Sequence, residues 1–387
     1  MSVEGDMRLI RVFVHLSVTY GAKKWQDSFK NGKLIGINDR LPYGYYRAAE
    51  DGCQIVYSED KKENRLDRSF RLWIKSIIGV DLVHAWRNRK GIYDSDIVWT
   101  HTELQYIAVL ILFQILFWKP RPKLIAQSVW LYDRWQDLGL MKRWVFSRLI
   151  AKADILTVLS PENLKVARTL FPHIRSEFIP FGINVDELAP LKKEKIHHPI
   201  RILSIGNDPH RDWQILIQSV KDLPDCHLKI ASWKLNKEVI KDCNNIELLH
   251  ISTDSKLFSA YEWADIILLT IKPNLHASGI TVLQEAAVLG IATICSDIGG
   301  LKAYFSDEEV YFIPHGDASE IQKAIATLAG DDQLRWRLAE RAQARMRPGD
   351  LSSRSYARRH AELSRELLAR EPVLAASSNT AGSRPIS

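Results

Sequence analysis

The segment 276–297, HASGITVLQEAAVLGIATICSD, places small and polar residues directly before an apolar stretch with the character of a helix. Ser278 and Gly279 form a tight loop in which backbone amides can approach a ligand closely. The predicted helix starts at Thr281, where unpaired N–H groups and the positive end of the helix dipole would meet that ligand. This pattern is typical of a phosphate-binding site.

Glu285 is the one acid inside the helix-like stretch, and it lies one helical turn beyond Thr281. Its carboxylate can accept hydrogen bonds from two hydroxyl groups at once, as a ribose would present them. The alternative is a surface glutamate that happens to lie in a helix. Taken alone, the residue types leave both interpretations open.

Two further groups of polar residues follow apolar runs in the first half of the chain. His101 and Glu103 come directly after the run 96–100, DIVWT. The next run is followed by VWLYDRW, in which aromatic rings could pack on the C–H faces of a sugar while an acid accepts hydrogen bonds from its hydroxyl groups. The residues concerned are Trp130, Asp133 and Trp135. A structural histidine and ordinary core tryptophans are the alternatives.

Short apolar runs alternate with helical patterns along the chain, which predicts an α/β fold with parallel sheets covered on both faces. The strand candidates in the first half are 8–15, 54–57, 96–100, 123–128 and 154–158. Those in the second half are 200–205, 227–231, 246–250, 265–270, 292–296 and 310–313. We therefore predict two Rossmann-like domains that face a central cleft, with ligands at the carboxyl ends of the strands.

The charged, aperiodic stretch 186–199 separates the two halves, and a length of 387 residues also favours two domains over a single core. We predict an N-terminal domain, a linker, a second domain, a C-terminal amphipathic helix and a disordered tail. Their boundaries are 1–188, 189–199, 200–350, 351–370 and 371–387. The tail is rich in Ser, Ala and Pro, a composition that does not support a packed core.

Five segments resemble, in the same order, the large family-4 glycosyltransferases, whose fold is the two-Rossmann-domain (GT-B) fold. They are ADILTVLS at 153–160, FIPFGIN at 178–184, ILSIG at 202–206 followed by HRDW at 210–213, YEWAD at 261–265, and the stretch from 276 to the DIGG of 297–300. The resemblance implies transfer of a sugar from a nucleotide diphosphate sugar to an acceptor hydroxyl, with retention of the anomeric configuration. It implies no cofactor beyond that co-substrate. Because no DxD-like pair stands out, we assign no metal.

The resemblance also assigns the residues that would bind the donor. The segment 202–213 is similar to the family's phosphate loop, which makes Gly206 and Arg211 donor-binding residues. The planar guanidinium fork suits a diphosphate because it can make bidentate contacts. The remaining donor residues are Ser278, Gly279, Ile280, Thr281 and Glu285.

The predicted catalytic residues are His101, Glu103 and His276. Similar family members carry a histidine at the position of His101 that faces the donor sugar. The family often has a first glutamate eight residues before the position of Glu285, but this chain has Ala277 there. His276 is the nearest polar substitute. Since no side chain is placed as a covalent nucleophile, the resemblance favours a front-face route in which electrostatic stabilisation dominates.

Two other classes of function stay open. One is a sugar-nucleotide epimerase or hydrolase on the same fold, which would need acids and bases in the cleft that are not evident. The other is a non-catalytic sugar-nucleotide-binding subunit, which the missing first glutamate favours.

The net charge of +7 favours an anionic partner. The basic residues are dispersed and form no recognised module, so no nucleic acid is expected. The segment Leu104–Trp118, LQYIAVLILFQILFW, is too short to span a bilayer but very apolar. It is either a core helix or one that docks on an anionic membrane. We expect docking on the cytoplasmic face, beside a lipid-linked saccharide acceptor in surface polysaccharide biosynthesis.

Overall fold

The computed structural model describes residues 8–118, 120–347 and 349–369. The predicted tail, 371–387, lies outside this part of the chain. The first domain contains the strands β1 (Ile10–His15), β2 (Cys53–Tyr57), β3 (Ile97–Thr100), β4 (Lys123–Ser128), β5 (Ile155–Val158) and β6 (Ser176–Phe178). Its helices are α1 (Ala22–Lys30), α2 (Arg65–Ile78), α3 (Leu82–Arg87), α4 (Arg89–Tyr93), α5 (Glu103–Leu116), α6 (Leu140–Ile150) and α7 (Pro161–Leu170). A 3-10 segment at Pro42–Asp51 precedes β2.

The second domain repeats this alternation. Its strands are β7 (Ile200–Ile205), β8 (Cys226–Ala231), β9 (Ile246–Leu249), β10 (Ile266–Leu269), β11 (Ala292–Ser296) and β12 (Tyr311–Ile313). Its helices are α8 (Trp213–Val220), α9 (Asp254–Trp263), α10 (Ile280–Val288), α11 (Ala318–Gly330) and α12 (Asp332–Met346). A last helix, α13 (Ser353–Ala369), follows.

Each domain is built on a six-stranded parallel sheet, which confirms the predicted α/β fold with two Rossmann-like domains. The strand order is β2-β1-β3-β4-β5-β6 in the first sheet and β12-β11-β10-β7-β8-β9 in the second. Helices cover both faces, so a central strand such as β10 is buried along its whole length. In sheets of this kind the strand order reverses beside the first strand, and the carboxyl ends there form a ligand crevice.

Helix α13 returns to the first domain, although it follows the second domain in the chain. Tyr356, Ala357 and Ala361 are buried in the core of the first domain. The indole N–H of Trp99 on β3 donates a hydrogen bond to the Ser364 hydroxyl across 2.9 Å. The chain therefore crosses between the domains twice, which ties the second domain to the first at both ends.

Helix α5 belongs to the core, so the prediction that Leu104–Trp118 docks on a membrane is wrong. Nine of its residues are buried, among them Tyr106 and Phe113. A helix without a polar stripe is expected in a core rather than at a surface. Among the described residues, no helix is both long and apolar enough to cross a bilayer.

Replacing Phe113 with Ala should lower the free energy of unfolding by about 3–5 kcal/mol, since a buried aromatic ring is lost and a cavity remains. Phe117→Ala is the matched control. Phe113 is 3% exposed and Phe117 is 85% exposed, so the control should change stability by less than about 0.5 kcal/mol. Denaturant unfolding measures both values. Equal losses in the two variants would contradict a core position for α5.

Candidate active site

A buried arginine lies where the carboxyl ends of β7 and β10 meet. Arg211 is 5% exposed, and its Nε and Nη1 atoms have no hydrogen-bond partner among the described residues. Burial lowers the pKa of the guanidinium, yet an arginine stays charged at neutral pH. An unpaired cation in such a place is costly unless an anion joins it.

Two glycines make room for this arginine. A Cβ at Gly206 would lie 2.1 Å from Arg211 Nε, and one at Gly279 would lie 2.6 Å from Nη1. Both glycines have positive φ angles, 154° and 97°, which other residues rarely adopt. The side chain therefore lies between the loop after β7 and the start of α10. The sequence assigned these three residues to donor binding, and the structure brings them together.

The loop before α10 is held by hydrogen bonds to both domains. Ser278 N–H donates to Asn274 Oδ1 across 3.1 Å, and Leu275 N–H donates to Asp133 Oδ1 across 2.7 Å. Ala277 is buried, with a φ of 55°. Of the predicted donor residues here, Ser278 and Ile280 are buried whereas Thr281 is exposed.

His276 lies between two carboxylates from different domains. Its Nδ1 is 2.9 Å from Asp133 Oδ2, and its Nε2 is 3.0 Å from Asp208 Oδ2. Burial by itself lowers the pKa of His276, but the hydrogen bonds and charges of the two carboxylates outweigh it and raise the pKa to about 9. For Asp208, burial alone would raise the pKa, but the hydrogen bond and the charge of His276 outweigh burial and lower it. The histidine is therefore an imidazolium at neutral pH.

This geometry corrects the prediction that His276 replaces the absent glutamate at the donor sugar. Both ring nitrogens donate to carboxylates, so neither is available to a sugar hydroxyl. The imidazolium instead joins the domains. Asp208, His210 and His276 each place a possible metal-ligand atom within 4.8 Å of the others. Coordination of a metal by His276 would require the ring to lose a proton and one of its carboxylate contacts.

His101 is buried at the carboxyl end of β3, with its ring stacked on Tyr43 at a centroid distance of 3.5 Å. Its Nδ1 lies 3.0 Å from the Tyr45 hydroxyl, which lies 3.0 Å from the hydroxyl of Tyr356 on α13. Burial lowers the pKa of His101 to about 3. It is therefore neutral, which suits a hydrogen bond with a sugar better than proton transfer. Sequence patterns give no sign of the contact between Tyr45 and Tyr356, because these residues are 311 positions apart in the chain.

Two predicted site residues have structural roles, which corrects their assignment. The Glu103 carboxylate accepts hydrogen bonds from the N–H groups of Val129 and Trp130, at 3.1 and 3.4 Å, so it fastens the loop after β4 rather than facing a substrate. Trp135 is buried in the core of the first domain, where its ring packs edge-on against Phe171 at 5.8 Å. Both were assigned from their place after a strand, which does not reveal the direction of a side chain.

Trp130 and Asp133 lie at the cleft between the domains. Trp130 is partly exposed, and its ring centre lies 6.4 Å from that of His276. Asp133 lines a cavity of about 650 Å³ that both domains form. Further lining residues are Glu162, His210, Asn274, Asp297 and Lys302.

Glu285 is buried and already engaged on both carboxylate oxygens. The Tyr261 hydroxyl donates to Oε2 across 2.6 Å, and Ile37 N–H from the first domain donates to Oε1 across 3.1 Å. Beside it, Gly36 N–H donates to Asp254 Oδ1 across 3.1 Å. The loop that contains Gly36 thus covers this end of the cleft. The predicted ribose contact of Glu285 stays a prediction. It requires the loop to move so that Ile37 N–H releases the carboxylate.

Two Rossmann-like domains around a cleft define a protein of the GT-B type. Residues 190–345 match the family model described as glycosyl transferases group 1. This match of the second domain supports glycosyl transfer as the type of reaction. No curated protein matches the chain significantly.

Several solved structures share this fold over most of their length. Sucrose-phosphate synthase from Thermosynechococcus elongatus is 14% identical, with 93% of this chain and 99% of that chain covered and a TM-score of 0.67. Anabaena Alr3699/HepE in complex with UDP-glucose is 12% identical, with 92% and 99% covered and a TM-score of 0.64. A glycosyltransferase from Rickettsia africae is 14% identical, with 94% and 100% covered and a TM-score of 0.59. Identities this low show the fold alone.

Stability should depend on pH through His276. Its pKa in the folded protein, about 9, lies above the ordinary value of 6.5, so the stabilisation is complete below about pH 6.5 and is lost as pH rises through 9. The expected loss in the free energy of unfolding is on the order of 3 kcal/mol. His276→Gln should lack this part of the pH profile, whereas His250→Gln, at an exposed position, should keep it. The free energy of unfolding is measured with denaturant from pH 6 to 10. Identical pH profiles for the wild type and His276→Gln would exclude a stabilising ion pair of His276 with Asp133 and Asp208.

Proposed function

We propose that the protein transfers a sugar from a nucleotide diphosphate sugar to an acceptor hydroxyl. The observation that carries this proposal is the buried guanidinium of Arg211, with two N–H donors unpaired among the described residues. A diphosphate would supply the missing counter-charge and accept from both donors. The start of α10 beside it adds the positive end of a helix dipole.

The comparisons support a nucleotide sugar as the donor. The second domain matches the group 1 glycosyl transferases, and the structurally similar Anabaena Alr3699/HepE is described in complexes with UDP-glucose and with UDP. A group that stabilises negative charge on the departing diphosphate accelerates sugar transfer, because that charge grows as the glycosidic bond breaks. Arg211 would do this without a metal ion.

We further propose that the transfer retains the anomeric configuration by a front-face route. The support is the resemblance to the family-4 enzymes, together with the neutral state of His101. A neutral, buried imidazole can orient the transferred sugar by a hydrogen bond, whereas the acceptor proton would pass to an oxygen of the leaving diphosphate. Trp130 and Asp133 would meet the acceptor side of the cleft.

The acceptor in this proposal is a lipid-linked saccharide of surface polysaccharide biosynthesis, met at the cytoplasmic face of a membrane. The net charge of +7 supports an anionic surface as a partner. A non-catalytic nucleotide-sugar-binding subunit is the second candidate, since Ala277 stands where the family often has a glutamate. Release of nucleoside diphosphate that depends on an added membrane lipid extract, with a glycosylated product detected by mass spectrometry, would distinguish the transferase from that subunit and from an epimerase or hydrolase.

Arg211→Met should weaken binding of nucleoside diphosphates by roughly 10- to 100-fold, because charge-assisted hydrogen bonds of about 1.5–3 kcal/mol are lost. Binding of the corresponding nucleoside should change little. Without ligand, the variant should be at least as stable as the wild type, since an unpaired buried charge is removed. Calorimetric titration with UDP, GDP and ADP measures the affinity, and thermal unfolding measures the stability.

Arg201→Met is the matched control. Arg201 lies near the start of β7, at the edge of the sheet opposite the cleft, with its guanidinium 5.9 Å from the Trp263 ring centre. This control should bind nucleoside diphosphates like the wild type. Equal losses of nucleoside and nucleoside diphosphate affinity in Arg211→Met would count against a phosphate contact.

Sugar transfer should continue in the presence of a chelator, because Arg211 replaces the charge of a metal and His276 is occupied by carboxylates. The measurement is the initial rate with and without EDTA, at one donor concentration. If the rate falls to background and a divalent ion restores it, the cluster of Asp208, His210 and His276 would have to be reconsidered as a metal site.

A further inference from the structure

Helix α2 carries its apolar side chains on the outside of the protein. Arg71 is its one fully buried residue. Four large apolar residues at helical spacing form an exposed stripe: Leu66, Phe70, Trp73 and Ile77. A surface helix normally turns such a stripe towards the core, because burial of that face is what stabilises it.

Helix α2 is attached to the domain by Ile78, which packs against the first-domain core, and by ion pairs. The Arg71 guanidinium donates to Glu63 Oε1 across 2.8 Å and to Asp81 Oδ2 across 2.6 Å. These ion pairs lie on a different side of the helix from the stripe. The stripe is therefore left available for a partner outside the chain.

Helix α6 extends the same surface. Leu140, Met141 and Trp144 at its start are 80%, 81% and 61% exposed. The end of α2 lies beside this start, since a Cβ at Gly79 would lie 3.6 Å from Lys142 Nζ. The exposed apolar residues of α2 and α6, which we term the α2–α6 surface, thus form one region.

The charge of these two helices indicates the kind of partner. They carry seven Lys or Arg residues and a single acid, Asp67. The Arg148 guanidinium lies 5.1 Å from the Trp144 ring centre, so cations border the apolar side chains closely. A second copy of the chain would bring like charges together, whereas an anionic bilayer accepts both the cations and the apolar side chains.

We propose that the α2–α6 surface docks the protein on an anionic lipid bilayer. Trp73 and Trp144 would lie at the level of the headgroups, where tryptophan is favoured, and the bordering Lys and Arg side chains would contact anionic lipids. This inference rests on the proposed function, because it names the membrane partner of that transferase. It differs from the sequence prediction, which placed the contact at α5.

The location of this surface has a consequence for the acceptor. Helix α6 follows directly from the loop that carries Trp130 and Asp133 at the cleft. A bilayer on the α2–α6 surface would therefore lie near the acceptor side of the cleft. A lipid-linked acceptor could then reach the donor sugar while its lipid part stays in the membrane.

Flotation with vesicles tests this surface. The wild type should float at low salt with vesicles of phosphatidylglycerol and phosphatidylcholine, and should remain unbound with phosphatidylcholine alone. Trp73→Glu with Trp144→Glu should reduce the bound fraction by roughly tenfold or more, since acids are strongly disfavoured in the bilayer. The control, Phe117→Glu with Trp233→Glu, makes the same charge change at exposed sites elsewhere and should float like the wild type.

A second variant, Arg68→Glu with Lys142→Glu, should also lose flotation, and it keeps the apolar residues. If either variant is unfolded by circular dichroism, the other decides the outcome. Wild type that stays unbound at low salt, or folded variants that float normally, would overturn the proposal. A wild-type dimer that the tryptophan variant converts to a monomer in sedimentation would assign the surface to a second copy instead.

The same proteins separate this inference from the proposed function. Without vesicles, the tryptophan variant should bind nucleoside diphosphate with the affinity of the wild type, because the substitutions lie outside the donor site. Flotation of a wild type that binds no nucleoside diphosphate would leave the docking surface standing and remove the transferase proposal. A wild type that binds nucleoside diphosphate but does not float would remove the docking surface and leave the transferase proposal standing.

Discussion

The candidate site depends on one buried charge, the guanidinium of Arg211, whose Nε and Nη1 have no hydrogen-bond partner among the described residues. Its burial is tolerable only if an anion completes the site, since a cation without a partner in a protein interior is costly. Gly206 and Gly279 leave room for the arginine because a Cβ at either position would overlap it, and both have positive φ angles that other residues rarely adopt. The geometry of the proposed phosphate site is therefore a property of three residues together, drawn from two loops.

A second set of charges holds the two domains in a closed arrangement. The imidazolium of His276 lies between Asp133 of the first domain and Asp208 of the second, while Ile37 of the first domain reaches Glu285 of the second. Both contacts lie across the cleft that a donor must enter. Of the carboxylates that join the domains, Asp133 also lines the cavity between them, so access to that cavity is linked to domain separation.

The distribution of apolar residues shows how tertiary context changes the meaning of a sequence pattern. Helix α5 is the most apolar helix of the first domain and is buried among its neighbours, whereas the amphipathic helix α2 turns its apolar stripe outward. The sequence pattern shows that α5 is apolar on all sides and that α2 is amphipathic, but it does not show which apolar side chains are buried. In α2, Arg71 pairs with Asp81 and Ile78 packs against the core, which leaves the apolar stripe exposed to solvent.

The sequence by itself determined the fold class and the alternation of strands and helices, since these depend on local periodicity, and it predicted that Gly206, Arg211 and Gly279 belong to one site. Only the tertiary structure decided the roles of the charged and aromatic side chains. Asp133 and His276 are 143 positions apart, and Tyr356 reaches the His101 network from the last helix. Pairings at such distances leave no local pattern. The same is true of Glu103 and Trp135, because a position after a strand does not reveal whether a side chain turns towards the cleft or the core.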